Sequence, residues 1–409
     1  MSLAAAGATA DITPDSPLQL GGYVARETAF TAVADKLEAN VLWLTGPKGR
    51  AAFVTTDLLY PGAPLRARLK ELLGLGDDEL FLAASHTHFA PMTSPGMRAL
   101  GVPDAAYIER TAQRIAAAAR SLAERMTPAQ ALFTSGVAAH AINRRLICWR
   151  LTRSGLTHGA GLGPNPGGDN DERITALRFT DAGGKTFALL WNYACHPTDF
   201  PGRLQVSADF PGVVRAKLRA IYGDVPVLFL QGFSGDTRPP FAGRKPGLRG
   251  LIFRTLLGPQ FRNPGRAEWQ GWADSLAARV AGIFASDAKV LPLDGPHAAR
   301  VTAPEETLGR GGDGSKPLTW HSVDCGGFRV IGVNAEPVTA YRGLVEQRFV
   351  DKPLLTAGCI DQTHGYLPVD RMLPEGGYEV EGFRAYFEYR TRFAPGVQDA
   401  ALAPLFKVP

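Results

Sequence analysis

What most limits the fold of this chain is a set of short, unbroken apolar runs, each ending in a polar cluster and separated from the next by a helical stretch. LFLAAS (80–85) and LLTAGCI (354–360) read as strands, and VPVLFLQG (225–232) as a strand of the buried type. AAFVTTDLL (51–59) and FRVIGVNAE (328–336) read as further strands, and ITALRFTD (174–181) with TFALLWNYA (186–194) as a hairpin turned at DAGGK. Helical periodicity fills 64–75, 104–126, 210–223, 267–286 and 338–349. This alternation predicts the α/β class, with mixed β-sheets flanked by helices. With 409 residues, no internal repeat and no clean linker, a single large domain over 1–409 is expected. Residues 235–266, rich in Pro, Gly and Arg, predict a long functional loop.

Composition closes off several function classes. The chain is 45% hydrophobic and 20% charged, as soluble globular proteins are. Its net charge of +5 comes from arginines scattered between Arg26 and Arg392, so no clustered nucleic-acid footprint forms and DNA is not an expected partner. The mild excess leans toward an acidic substrate. No apolar run reaches the ~18–20 residues of a transmembrane segment. The start, MSLAAAGATADITP, lacks the basic and apolar regions of a signal peptide, which fits a cytoplasmic protein or a secreted one already trimmed. Compartment and oligomeric state stay open. Four cysteines with no CxxC pattern read as free buried thiols. HExxH, GxSxG and Walker A are absent, and GLGPNPGG (161–168) lacks the third glycine of a dinucleotide loop and follows no predicted strand.

Ligands of α/β sheets bind at the carboxyl ends of strands, and polar clusters gather there. After 80–85 come His86 and His88; two positions apart on a continuing strand, both would face one side. After 186–194 comes His196, held extended by Pro197. After 225–232 come Asp236 and Arg238, expected to point into a cleft past the turn at Gly235. Glu336 ends the strand 328–336, and His364 and Tyr366 follow 354–360. Each cluster alone also fits hydrogen-bonded surface residues or an Asx turn. Together, two histidines and a carboxylate at separate strand ends form a zinc-like donor set. Zinc in an open site acidifies water and polarises carbonyls, so hydrolysis is the expected chemistry.

The order of these motifs resembles the catalytic domain of the neutral/alkaline, non-lysosomal ceramidase family, collinearly from residue 7 to about 385. The matching stretches are Gly7 to Pro14, Ser85 to Pro91, Asn143-Arg144, Asn192 to Thr198, Ser207 to Asp209, Ala335 to Thr339 and Gln362 to Leu367. The resemblance implies zinc ligands at His86, His196, Glu336 and Tyr366, with His88 a substrate-side group beside them. A phenolate ligand is reasonable, because the charge of a metal favours the ionised form.

Two departures stand out. Arg238 occupies the place of a family serine implicated in amide cleavage, which favours a substrate with a carboxylate or phosphate, or an oxyanion contact. The family's C-terminal β-rich domain is absent from these 409 residues.

The expected function is a zinc-dependent hydrolase cleaving an N-acyl amide bond of a small-molecule or lipid-like substrate that need not be ceramide. His88 and Asp236 are the expected proton carriers, Arg238 is a catalytic-site residue, and Asn143 and Arg144 hold the polar end of the substrate. The alternatives are a metal-retaining binding protein on the same fold and a zinc esterase for an anionic substrate.

Overall fold

The computed structural model describes residues 3–24, 26–152, 155–243 and 258–408. Three sheets form its frame. The first contains Ala4–Asp11 (β1), Glu38–Gly46 (β2), Gly49–Thr56 (β3) and, after the helix Ala63–Leu73 (α1), Leu80–Ala84 (β4). The helix Ala105–Arg120 (α2) lies beside α1. The second sheet begins with Gln130–Val137 (β5). The chain then leaves it as a long hairpin, Ile142–Thr152 (β6) and Gly155–Asn165 (β7), and returns as Arg173–Thr180 (β8) and Thr186–Tyr193 (β9). The helix Phe210–Tyr222 (α3), the strand Val227–Gln231 (β10) and the helix Arg266–Phe284 (α4) complete that part. The third sheet holds Leu293–Ala303 (β11), Leu318–Gly326 (β12), Arg329–Val333 (β13) and, after the helix Ala340–Arg348 (α5), Leu354–Ala357 (β14).

The sheets share one plan. Most neighbouring strands are antiparallel, but in each sheet one pair runs parallel and is joined across a helix: β3–α1–β4, β9–α3–β10 and β13–α5–β14. Parallel neighbours require such a crossover. These three βαβ units have no shared sequence pattern, so they leave no repeat to read. Their inner faces meet in one core, with Phe53 and Phe81 from the first sheet, Leu190 and Leu228 from the second, and Val330 and Leu355 from the third. Outside, α1 and α2 cover the first sheet through Leu65, Leu69 and Ile115; α3 and α4 cover the second through Leu218 and Leu276; α5 covers the third through Tyr341 and Val345. Strands β4, β10, β13 and β14 are therefore buried on both sides, which explains their unbroken apolar runs. Each large side chain so buried contributes about 1.5–3 kcal/mol.

The structure corrects the sequence reading in places. Strands β1, β2, β5, β6, β7, β11 and β12 were not expected; β1 reads AAAGATAD, whose residues have low strand propensity, and cross-strand pairing decides its state. The stretch 161–168 is the end of β7 running into a turn, and no helix follows it as a dinucleotide loop requires. In the expected loop 235–266, Thr237–Arg238 pairs with β6, Ala242–Gly243 pairs with Gln260–Phe261, and 244–257 lies outside the described residues.

Candidate metal centre

The carboxyl ends of the three βαβ units converge. His86 follows β4, His196 follows β9, and Glu336 follows β13; their donor atoms lie within 4.8 Å of one another, and all three side chains are buried. The Glu336 Oε2 atom is 3.0 Å from His196 Nε2 and 3.4 Å from His86 Nε2. Tyr366 reaches the same place because Glu336–Pro337 pairs in parallel with Tyr366–Leu367.

Local backbone chemistry aims these groups. His86 Nδ1 is 3.1 Å from the Leu59 carbonyl and His196 Nδ1 is 2.9 Å from the Thr237 carbonyl. A carbonyl can only accept, so both rings donate from Nδ1 and turn Nε2 inward. His86 does not continue its strand; its φ of 67° is left-handed, and that turn, not a pleat, places it beside His88. The two Nε2 atoms are 3.3 Å apart. Gly22 lies flat against His88: with a φ of 100°, its missing Cβ would stand 2.5 Å from His88 Nδ1.

The electrostatics fit a cation. Burial resists ionisation of Glu336, but His86 and His196 beside it hold its carboxyl well below the usual range. Burial, then the Arg144 charge, lowers His196 to about 4. A neutral His196 donating from Nδ1 leaves an Nε2 lone pair facing a carboxylate, and two acceptors in contact need a positive charge between them. A tetrahedral ion with bonds of about 2.0–2.1 Å keeps its ligand atoms roughly 3.3 Å apart, and the two N···O separations bracket that value. The donor set thus fits a borderline divalent metal.

Residues around the cluster brace it. The hydroxyl of Tyr60 donates to Glu336 Oε1. Sequence reading missed Tyr60, although it follows β3 and the strand-end rule reaches it. Arg144 lies 5.4 Å above the Tyr366 ring and 5.6 Å above that of Tyr378, and its Nε donates to Glu379 at 2.9 Å. Burial, then the Glu336 charge, raises the Tyr366 phenol, with Arg144 opposing. Burial, then the fields of His86 and His196, pushes His88 well below its ordinary value.

Three residues expected at the site are engaged by partners within the protein. Asp236 Oδ1 accepts from the Thr339 amide (2.7 Å) and hydroxyl (2.6 Å), and Oδ2 accepts from Asn143 Nδ2 at 2.9 Å. Asp236 is wholly buried with both oxygens engaged, and it ties Thr339 to Asn143. Asn143 is engaged likewise, its Oδ1 accepting from the Arg145 amide at 2.8 Å while its Nδ2 braces Asp236. Arg238 does not offer an unpaired guanidinium to the cleft; it is bonded to the buried Asp199 and stacked 4.4 Å from the Phe261 ring. Asp199 was not foreseen, because the pairing spans 39 residues. His364, half-buried, has its ring lowered to about 4 by burial, and it lines a separate hollow with Lys316 and Gln362.

No protein-family profile matches the chain, and no curated protein matches it in sequence. Its fold does match solved structures. Neutral ceramidase from Pseudomonas aeruginosa superposes with a TM-score of 0.74 at 15% identity, covering 99% of this chain and 73% of that one. A ceramidase described as complexed with C2 superposes with a TM-score of 0.71 at 15% identity, covering 99% and 74%. The chain therefore has the mixed-sheet α/β fold of neutral ceramidase, with a buried His-His-Glu cluster where its three βαβ units meet.

Proposed function

We propose that the chain is a zinc-dependent hydrolase of the neutral ceramidase family that cleaves the amide bond of an N-acyl substrate. The observation carrying this reading is the convergence of His86, His196 and Glu336, with both Nδ1 atoms committed to carbonyls and both Nε2 atoms turned inward. His86, His196, Glu336 and Tyr366 would hold the ion. When bound, zinc supplies Lewis acidity to a carbonyl oxygen and lowers the pKa of water.

The protein's own groups do the rest. Hydrolysis forms a bond from water oxygen to the carbonyl carbon, breaks the C–N bond, and delivers a proton to the departing nitrogen. His88, neutral in its buried setting and 3.3 Å from His86, accepts the proton at Nε2 and returns it to that nitrogen. Arg144 holds the Tyr366 ring in place from above. Because Asp199 neutralises Arg238, an acidic group is not required of the substrate, and N-acylsphingosine stays among the candidates.

The test is zinc content by mass spectrometry together with hydrolysis of a panel of N-acyl amides and esters, N-acylsphingosine included. One equivalent of zinc, lost in His86→Ala along with amide cleavage, is expected. Bound zinc with no turnover on any substrate would favour a binding protein, and folded, metal-free protein after purification without chelator would remove the reading.

A further inference from the structure

His86 and His196 are aimed by hydrogen bonds from Nδ1 to a carbonyl, and His88 beside them is not. Its Nδ1 is buried with no hydrogen-bond partner. With Nδ1 unbonded, neither the tautomer nor the tilt of this ring is set in the usual way. Another restraint must keep its Nε2 at 3.3 Å from His86 Nε2.

Residues 21–24 and 26 supply one. Gly22 covers one side of the ring, where a Cβ would stand 2.5 Å from Nδ1 and 2.6 Å from Cγ. The Tyr23 ring lies 5.0 Å from the imidazole, and its hydroxyl donates to the Thr198 carbonyl, two residues beyond His196. The backbone of His88 is held on both sides. Its amide donates to Pro197 O at 3.2 Å, and its carbonyl accepts from Arg26 Nη1 at 2.8 Å. The same Nη1 donates to Gly21 O at 3.0 Å. One atom of Arg26 thus ties the backbone that carries His88 to the backbone that presses Gly22 on its ring.

The charge of Arg26 is an independent sign. The side chain is 3% exposed, its Nε and Nη2 have no hydrogen-bond partner, and among the described residues no carboxylate pairs with it. Its guanidinium lies 4.7 Å from the Tyr23 ring and 5.6 Å from that of Phe89. A buried charge without a counter-ion is costly, and the rings offset only part of that cost. An apolar side chain would fill the space more cheaply; what it lacks is the bond to the His88 carbonyl.

We propose that Arg26 is a positioning residue for His88: with Gly22 and Tyr23 it forms a clamp that fixes the imidazole, and it affects turnover only through that ring. The effect on turnover rests on His88 being the proton carrier proposed above, whereas the hold on the ring can be measured without any reaction.

The test takes Arg26→Met and Gly22→Ala, each alone and each combined with His88→Ala, in zinc-loaded protein with an N-acyl amide that the wild type cleaves. Each single variant should lower kcat about tenfold or more, as misplacement of a reacting group does, while KM and zinc affinity move less than about threefold. In the His88→Ala background neither change should lower kcat further. With isotope-labelled histidine, the His88 ring resonances should be sharp in the wild type and broadened or doubled in both variants, with those of His86 and His196 unchanged. A further fall of kcat in the His88→Ala background, a loss of zinc affinity that matches the loss of kcat, or a His88 signal that the variants leave unchanged overturns the proposal. If the wild type cleaves no amide, the reading of the reaction fails, and the ring resonances alone decide the clamp. Gly22→Ala leaves Arg26 in place and carries the test should Arg26→Met not fold.

Discussion

Substitution of Gly235 by alanine tests whether the backbone around Glu336 sets the metal centre. The added methyl would stand 2.6 Å from the Glu336 carbonyl oxygen, 2.9 Å from that of Pro337 and 3.0 Å from the Pro337 carbonyl carbon. These are backbone atoms and cannot rotate aside. Gly235 is itself held, its amide donating to Pro337 O at 2.8 Å and its carbonyl accepting from Arg144 at 2.7 Å. Restoring ordinary contact at 3.4 Å takes a displacement of about 0.8 Å between Gly235 and the segment that carries Glu336. The overpacking costs about 1–3 kcal/mol, so the protein still folds. A shift of that size at a ligand-bearing segment weakens metal binding about 10–100-fold, as loss of outer-shell support does. Chelator-competition titration with zinc measures the affinity, and a cooperative thermal melt verifies the fold. Wild-type zinc affinity in folded Gly235→Ala would refute the reasoning. Gly343, in α5, has nothing within 4 Å of its Cβ position. Gly343→Ala should therefore raise stability by up to about 1 kcal/mol and leave zinc affinity alone.

Further outcomes follow from the same contacts. Tyr60→Phe removes the donor to Glu336 Oε1 and should lower zinc affinity about 10-fold or more in the same titration, with the melt nearly unchanged. Arg238→Ser strands Asp199, which is 3% exposed, and should destabilise the protein by about 3 kcal/mol in urea unfolding. Adding Asp199→Asn should recover part of that loss, and additive effects of the two changes would show that they do not form a pair. His321 is buried with Nε2 2.9 Å from the Asp78 carbonyl, and burial, then the Arg300 charge, lowers it to about 3. Its folded pKa lies below the unfolded value near 6.5, so its contribution is complete above pH 6.5 and is lost as the pH falls toward 3. At pH 5 the loss is about 2 kcal/mol, and the pH 7-to-5 drop in unfolding free energy should shrink by that amount in His321→Asn.

How much of this the sequence revealed depended on burial. Strands β4, β9, β13 and β14 are largely covered on both faces and so read as apolar runs, and the polar residues met at their ends are His86, His196, Glu336 and Tyr366. The ordering of neighbours around those ends was not legible. His86 turns through a left-handed backbone that periodicity cannot show, and its nearness to His88 came out right for the wrong geometric reason. Asp236 and Arg238 looked reactive because their partners Thr339 and Asp199 lie 103 and 39 residues away. A polar residue at a strand end reads the same whether it faces a cleft or a distant partner.

The origin of the three donors in three βαβ units has a mechanical side. No unit carries more than one of His86, His196 and Glu336, so no partly assembled intermediate owns the cluster. An ion held there acts as a three-way staple: it draws its binding energy from the mutual docking of all three sheets and returns that energy to the docking. Detachment of any one unit forfeits the whole of it. Metal loading should therefore sharpen unfolding into a single transition, and stripping the metal should let the units come apart in sequence.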